Sequence, residues 1–318
     1  MIPQFTSMLQ MTAALPNDKA CREYLELRRW NGVPVCPHCG VSDEKHYKLN
    51  VKGEFKGMYK CKSCKERFTV TVGTIFEGSN IGLHTWFLAL YMFSAHKKGI
   101  SSHQLARDLG VTQKTAWFML HRLRIVFTDG NIDPLGGEGV VVESDTTITG
   151  GKVKNMNNRK RKEIKEGVRG INDNKTSVAG YIERSGKVRF DVIDPNENDQ
   201  DLLKKHVDQT SVLMTDSATT YTNVGKEFAH HGTVNHSISE YVKDEVYHTN
   251  TIEGVFSHFD RMVIGTYHNV SRKHLQAYCN ESAYRYNTRK AHTTTRFEDT
   301  VLRCSGIRLN YSTLTAKG

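Results

Sequence analysis

Four of the seven cysteines, Cys36, Cys39, Cys61 and Cys64, form two Cys-x-x-Cys pairs with 21 residues between them. A pair spaced by two residues can turn both thiolates toward one ion. Two such pairs complete the closed tetrahedral set of structural Zn2+. A redox Cys-x-x-Cys needs no second pair, so the doubled motif favours metal. His38 lies inside the first knuckle and could replace a cysteine, although an exposed loop histidine is the plainer reading. Cys21, Cys279 and Cys304 are scattered. An odd count behind an N-terminus without a signal-like pattern points to a reducing compartment.

A second constellation is acidic. Asp145 follows Val140-Val141-Val142-Glu143-Ser144, and Asp216 follows Val212-Leu213-Met214-Thr215; both runs read as strands. Carboxylates at the ends of neighbouring strands can converge on Mg2+ or Mn2+, which take oxygen ligands. Two such ions would align a water or a 3′-hydroxyl with a scissile phosphate. A third ligand is expected from a helix. Asn250 and Glu253, in His248-Thr249-Asn250-Thr251-Ile252-Glu253-Gly254, are i, i+3 and share a face. Either can serve: Asn250 offers a neutral amide, Glu253 a charge. A single acid at a strand end more often serves a turn or a cap, so spacing alone leaves this set open.

The positive charge is uneven. The 318 residues carry a net +10. Residues 1–130 hold 18 Lys and Arg against 10 Asp and Glu, whereas residues 131–318 hold 26 against 24. The N-terminal part therefore reads as an electrostatic grip for a polyanion. Lys56, Lys62, Lys65 and Arg67 crowd the cysteine region, where phosphate contacts and a merely solvated face are both open. A basic insert, residues 151–165, carries Lys152, Lys154, Arg159, Lys160, Arg161, Lys162 and Lys165 against the single acid Glu163. It reads as a DNA-tethering arm or as a solvated loop.

The elements that must hold these residues follow from pattern. A helix is expected over 17–30, capped by Asn17 or Asp18, and a strongly apolar one over 83–97. Helices over about 101–109 and 112–126 frame Gly110, where a sharp turn is allowed. Ala106, Val111, Ala116 and Leu120 supply their contact. Thr112 caps the second helix, which would offer Gln113, Lys114, Arg122 and Arg124 to a DNA groove. An ordinary helical hairpin gives the same pattern. Residues 131–138 read as a linker. Strands are expected over 139–145, 176–183, 187–194, 211–215 and near Thr233, with helices over 199–209 and from about 249 and 271. This is a mixed α/β sheet domain. No apolar run approaches the length of a membrane span.

At this point the chain resembles a known family: the bacterial insertion-sequence transposases with an N-terminal zinc ribbon, related to the Merlin elements. The resemblance runs from about Cys36 to Asn287. Its motifs are the ribbon followed by Phe68-Thr69-Val70-Thr71-Val72-Gly73-Thr74-Ile75-Phe76, then Asp145 with Gly150-Gly151-Lys152, then Thr215-Asp216. The last are His248 to Gly254, Gly265 to Ser271 running into Lys273-His274-Leu275, and Tyr284-Arg285-Tyr286-Asn287. The resemblance implies an α/β multidomain chain with an RNase H-like catalytic domain, and a triad at Asp145, Asp216 and Asn250, with Glu253 adjacent. Three positions depart from the family pattern. Thr146 stands where Glu is usual, Asp260 where Lys is frequent, with Arg261 next to it, and Val255 precedes Phe256 where an aromatic usually follows the Glu-Gly.

The expected organisation is a ribbon over 1–78, a helix-turn-helix over 79–130, a linker over 131–138 and the catalytic domain over 139–318. The expected function is a DNA transposase that binds the ends of its element and performs Mg2+- or Mn2+-dependent strand cleavage and strand transfer. Its partners are double-stranded DNA, at element ends and target, and a second copy of the chain on DNA. A bacterial cytoplasmic, nucleoid-associated setting follows. The alternative is a DNA-binding regulator or domesticated nuclease derived from such an enzyme.

Overall fold

The structure, a computed structural model, describes residues 5–128, 133–151, 153–168, 170, 175–194, 197–216, 221–234 and 248–316. The chain divides into two compact units: Met1–Thr128 with Lys290–Gly318, and Asp129–Arg289.

The first unit opens with α1 (Met8–Ala14) and α2 (Asp18–Trp30). Asn17 caps α2 by accepting from the Ala20 N–H. Next come the antiparallel strands β1 (Tyr47–Val51), β2 (Glu54–Lys60) and β3 (Arg67–Phe68). α3 (Leu83–Ala95) is buried along most of its length, as its continuous apolar run requires. α4 (Ser102–Leu109) and α5 (Gln113–Ile125) meet through a short turn, with Gly110 at φ +65° and Thr112 accepting from the Thr115 N–H. Gly110 suits that left-handed position because it has no Cβ to clash.

The unit is finished by α11 (Thr293–Arg303) and α12 (Tyr311–Thr315). Phe297 is fully buried, edge-on to Phe5 at 5.1 Å and to Phe87 at 5.9 Å, with Tyr24 and Tyr91 around it. Arg28 pairs with Glu298 at 2.8 Å, and Arg29 donates to Ser305 Oγ at 2.9 Å. The boundary therefore differs from the expected catalytic domain over 139–318. The final segment is pulled into the first unit because the apolar face of α11 completes an aromatic core assembled from α2 and α3.

The second unit is built on a mixed sheet of β4 (Val141–Gly150), β5 (Lys175–Glu183), β6 (Val188–Val192), β7 (Val212–Asp216) and β8 (His230–Val234). The order is β6-β5-β4-β7-β8. β4, β5 and β6 are antiparallel neighbours, and β7 and β8 run parallel to β4. This is the mixed sheet that the strand pattern leads one to expect, and it is consistent with the RNase H-like fold that the resemblance implies. α7 (Asp199–His206) lies on one face, where Leu202 and Leu203 pack with Val142, Ala179, Tyr181 and Leu213. α9 (Asn250–Met262) and α10 (Arg272–Asn287) cover the other, where Ile252, Phe256 and Phe259 pack with Val178, Ile182 and Phe190. Between β4 and β5 the basic insert forms α6 (Asn158–Lys165), capped by Asn157 and buried nowhere. α8 (Tyr221–Val224) follows β7.

β6 is an edge strand, and α10 supplies its missing partners. Gln276 accepts from the Val192 N–H at 2.7 Å and donates to the Phe190 carbonyl at 2.9 Å. Asn287 accepts from the Val188 N–H at 2.8 Å and donates to the Val188 carbonyl at 2.9 Å. Two side-chain amides thus satisfy a row of backbone groups that would otherwise offer a template to another strand.

The aromatic cluster generates a prediction. Phe297→Ala empties the centre of the first unit and should cost about 3–5 kcal/mol of its stability. Denaturant unfolding followed by near-UV circular dichroism checks this, and an unchanged first transition would contradict the packing.

Candidate metal centre, acidic site and nucleic-acid surface

The two knuckles lie before β1 and between β2 and β3. Cys36 accepts the Gly40 N–H through its carbonyl, and the Cys61 N–H donates to the Glu66 carbonyl, so each turn is closed by its own backbone. The four thiol sulfurs lie within 4.8 Å of one another. Cys36 Sγ is 3.7 Å from Cys64 Sγ, and Cys39 Sγ is 3.7 Å from Cys61 Sγ. A regular tetrahedron with Zn–S of about 2.3 Å has edges of about 3.8 Å, so the cage is already zinc-sized. At Cys61 burial disfavours the thiolate, but the N–H groups of Cys64 and Ser63 and the adjoining thiols bring it down to about 6. At Cys64 the Glu66 N–H pulls downward, yet burial and three neighbouring thiols push it up to about 12. Four thiolates this close need a dication to ionise together. His38 is exposed, its Nε2 3.2 Å from the Arg67 carbonyl, and the cage is complete without it.

The acidic residues are set by register. Glu143 on β4 is aligned with Met214 on the parallel neighbour β7, so Asp145 and Asp216, each two residues further on, share one level. Asp145 pairs with Gly180 on β5. A Cβ at Gly180 would stand 2.7 Å from Phe256 and 2.9 Å from Ile252, so Gly180 marks the face covered by α9. Side chains alternate along a strand, and both aspartates fall on that face. Both are half-buried, and Asp145 Oδ1 accepts from the Thr146 N–H at 2.7 Å. Asn250 and Glu253 are exposed in the first turn of α9, where Thr249 Oγ1 donates to Glu253 Oε1 at 3.5 Å. Among the described residues, the carboxylates of Asp145, Asp216 and Glu253 do not draw together into a second cage like that of the thiols.

Glu143, unremarked in the sequence, holds this corner. It is fully buried. Its Oε2 accepts from the N–H groups of Thr251 at 2.9 Å and Ile252 at 3.0 Å, and its Oε1 from Thr251 Oγ1 at 2.8 Å. Arg184 Nε donates to the same carboxylate at 2.7 Å, and His248 Nδ1 lies 3.3 Å away. Thr249, at the cap position of α9, makes no side-chain cap bond, so Glu143 supplies the cap from the strand beneath the helix. Behind the aspartates, Asp199 at the start of α7 accepts from Tyr221 at 3.1 Å and from Thr146 Oγ1 at 3.4 Å. Burial raises the Asp199 carboxyl above its ordinary range; its two hydrogen bonds oppose this, and the charge of Asp216 adds to it. Thr146, where the family pattern has Glu, thus ties β4 to Asp199 on the α7 side of the sheet. Desolvation also raises Asp260, and Arg261 next to it is exposed, donating to Ser257 Oγ at 2.7 Å.

The basic residues divide. Lys56, Lys62, Lys65 and Arg67 are exposed on the ribbon, with the Lys65 ammonium 5.9 Å from the exposed Tyr47 ring. Gln113 and Lys114 are exposed at the start of α5, and Gln113 donates to Ser102 Oγ at 2.9 Å. Arg122 and Arg124 correct the expectation. Both are buried, at 5% and 1% exposed. Arg122 donates to the Ile75 carbonyl at 2.8 Å and the Leu309 carbonyl at 3.1 Å. Periodicity put them on an open helix face, but the rest of the first unit covers that face. Lys154, Arg159, Lys160, Arg161 and Lys162 are exposed on or beside α6, and Arg159 pairs with Glu163 at 2.9 Å. Lys152 lies outside the described residues.

Two predictions follow from these contacts. Cys61→Ser with Cys64→Ser should reduce bound zinc from one per chain to none in elemental analysis, and full retention would remove the assignment. Glu143→Ala leaves the Arg184 Nε and the first turn of α9 without this acceptor, and Arg184 with only the His248 carbonyl. It should destabilise the second unit by about 3–5 kcal/mol, read as a shifted unfolding midpoint with the zinc content unchanged.

Comparison with known proteins agrees with this geometry. Residues 16–67 match the model of the transposase zinc-ribbon domain, and residues 134–287 match that of the ISXO2-like transposase domain. An uncharacterized protein in transposable element ISH50 of Halobacterium salinarum is 31% identical over 96 residues. That stretch is 30% of this chain, and the chain spans about 30% of the length of that relative. No solved structure matches the chain. The zinc ribbon, the mixed sheet and the two matched domains, in this order, make the chain a member of the insertion-sequence transposase family that joins a zinc ribbon to an ISXO2-like domain.

Proposed function

We propose that the protein binds the ends of its mobile element and catalyses metal-dependent strand cleavage and strand transfer. The observation that carries this reading is the pair Asp145 and Asp216, level with each other on adjacent parallel strands and on the face that α9 covers. Mg2+ or Mn2+ fits the donor set: half-buried carboxylates, with an amide and a further carboxylate on α9, are all hard oxygen ligands. Asp145 and Asp216 would hold the ion, with Asn250 or Glu253 as third ligand, and an ion held there would supply polarisation of the scissile phosphate and activation of the attacking oxygen. The Thr146 N–H keeps the Asp145 carboxylate in one orientation, and Glu143 keeps the first turn of α9 against the sheet.

DNA is gripped by the ribbon cations Lys56, Lys62, Lys65 and Arg67, by Gln113 and Lys114 of the helix-turn-helix, and by the basic arm with Lys152, Lys154, Arg159, Lys160, Arg161 and Lys162, with Arg261 on α9. Two element ends must be joined in one event, so the active species on DNA is a homodimer. The setting is the bacterial cytoplasm, at the nucleoid. Among the described residues, no helix is long and apolar enough to cross a membrane.

The test is incubation of the purified full chain with labelled element ends and Mg2+ or Mn2+. Asp145→Asn and Asp216→Asn should each lower cleavage and strand transfer to background while end binding, measured by anisotropy, stays within about twofold, since a metal ligand makes no phosphate grip of its own. Glu253→Gln should be nearly as damaging as Asn250→Ala. Cleavage surviving loss of either aspartate would reject the site; end binding without any cleavage by the parent would favour a DNA-binding regulator.

A further inference from the structure

The end of the chain runs along α5. The Ile75 N–H donates to the Cys304 carbonyl at 3.1 Å and the Gly306 N–H to the Gly73 carbonyl at 2.8 Å, a short antiparallel bridge. Arg308 pairs with Glu77 at 3.1 Å. The buried Arg122 guanidinium then ties α5 to the Leu309 carbonyl. Tyr311 follows, edge-on to Phe118 at 5.4 Å, and the Lys114 ammonium stands 4.8 Å from the centre of its ring. Lys114, Phe118 and Arg122 are i, i+4, i+8 and form one stripe of α5. A cavity of about 280 Å³ lies between this stripe, the Gly78–Ile81 loop, Trp86 and Tyr311.

Three features make this contact more than packing. Lys114 is exposed and Tyr311 is 39% exposed, so the ammonium rests on the ring and still faces water. An aromatic face attracts a cation electrostatically and does not neutralise it, unlike a carboxylate. A lysine has a long, freely rotating stem, and ordering it on a phosphate costs entropy that a ring holding the ammonium has already removed. The Arg308 side chain is 57% exposed beside the same stripe.

We propose that Tyr311 is a positioning residue for Lys114, and that the tail and α5 present one surface to the phosphate backbone of double-stranded DNA. This rests on the reading of α4 and α5 as a DNA-binding pair. The tail belongs to the reader: α5 alone offers Lys114 in many rotamers, and α5 with Tyr311 offers it in few.

The experiment uses the full chain, with Lys114→Gln, Tyr311→Leu, Tyr311→Phe and the Lys114→Gln, Tyr311→Leu double variant. Binding is measured by fluorescence anisotropy across a salt series. The probes are a duplex taken from the end of the DNA element that encodes the chain and a duplex of scrambled sequence. Unfolding midpoints of every variant are recorded alongside. Lys114→Gln should weaken binding about two- to tenfold and flatten the salt dependence by about one counterion. Tyr311→Leu should weaken it about two- to fivefold, Tyr311→Phe should bind as the parent does, and the double variant should be no weaker than Lys114→Gln. Multiplying losses in the double variant, or Tyr311→Leu binding as tightly as the parent, would overturn the positioning role. Tighter binding by Tyr311→Leu would overturn it differently, by making the tail a cover over the DNA surface. If Lys114→Gln costs nothing while the parent binds duplex, the reading of α5 falls; if Lys114→Gln matters and Tyr311→Leu does not, only the role of Tyr311 falls.

Discussion

One buried carboxylate organises the second unit. Glu143 sits on the central strand with no exposure and takes up the first free N–H groups of α9, a helix that begins 107 residues later in the sequence, with its hydrogen-bonded Thr251 108 residues away. A buried charge is tolerated only when its lone pairs are filled, and here Thr251, Ile252 and Arg184 fill them. The same bonds decide where α9 starts along β4. Asp145 follows Glu143 by two residues on the same strand face, and Asn250 precedes Thr251 on the helix. The spacing between Asp145 on the strand and Asn250 on the helix is therefore set by a third residue, Glu143, which holds both elements. Gly180 completes the arrangement by leaving room for Ile252 and Phe256 directly against the sheet.

Legibility in the sequence tracks the range of the interaction. The zinc cage could be read because each knuckle is closed within a few residues. The caps Asn17 and Thr112 could be read for the same reason. Most strands and helices of the second unit were legible from alternation and period, and Asp216 does end β7, but β4 runs on past Asp145 to Gly150 and the basic insert folds into α6, so Asp145 stands mid-strand and not at a strand end. Glu143 was not, because a strand glutamate gives no local sign that its partners lie on a distant helix. Arg122 and Arg124 were misread for a related reason: periodicity identifies a helix face, but not which distant segment covers it. The Asp199, Tyr221 and Thr146 contacts were equally invisible, since they join three separate elements.

Some motifs that look functional have a different physical task. Asn287 closes a run that carries the family resemblance, and its amide is spent on the edge strand β6. Glu281 is fully buried and accepts from Arg285 at 2.7 Å and from Tyr267 at 2.7 Å, locking α10 to the Val263–Tyr267 turn that follows α9. A motif can thus be characteristic of the family because it builds the sheet and its cover. The sheet that carries Asp145 and Asp216, and the helices that cover it, depend on these residues for their shape.

The first unit is assembled from both ends of the chain, with the whole of the second unit between its two parts. This has a consequence for synthesis. A ribosome delivers the ribbon and α2 to α5 early, yet Phe297 and the tail that contacts Arg122 emerge only after the sheet and its helices. The first unit cannot close its core while the second unit is still being made. A chain cut short by a premature stop, or by a protease before α11, lacks the residues that complete that core. In such a layout the order of the gene acts as quality control: full packing of the first unit comes only to a polypeptide that already carries the second.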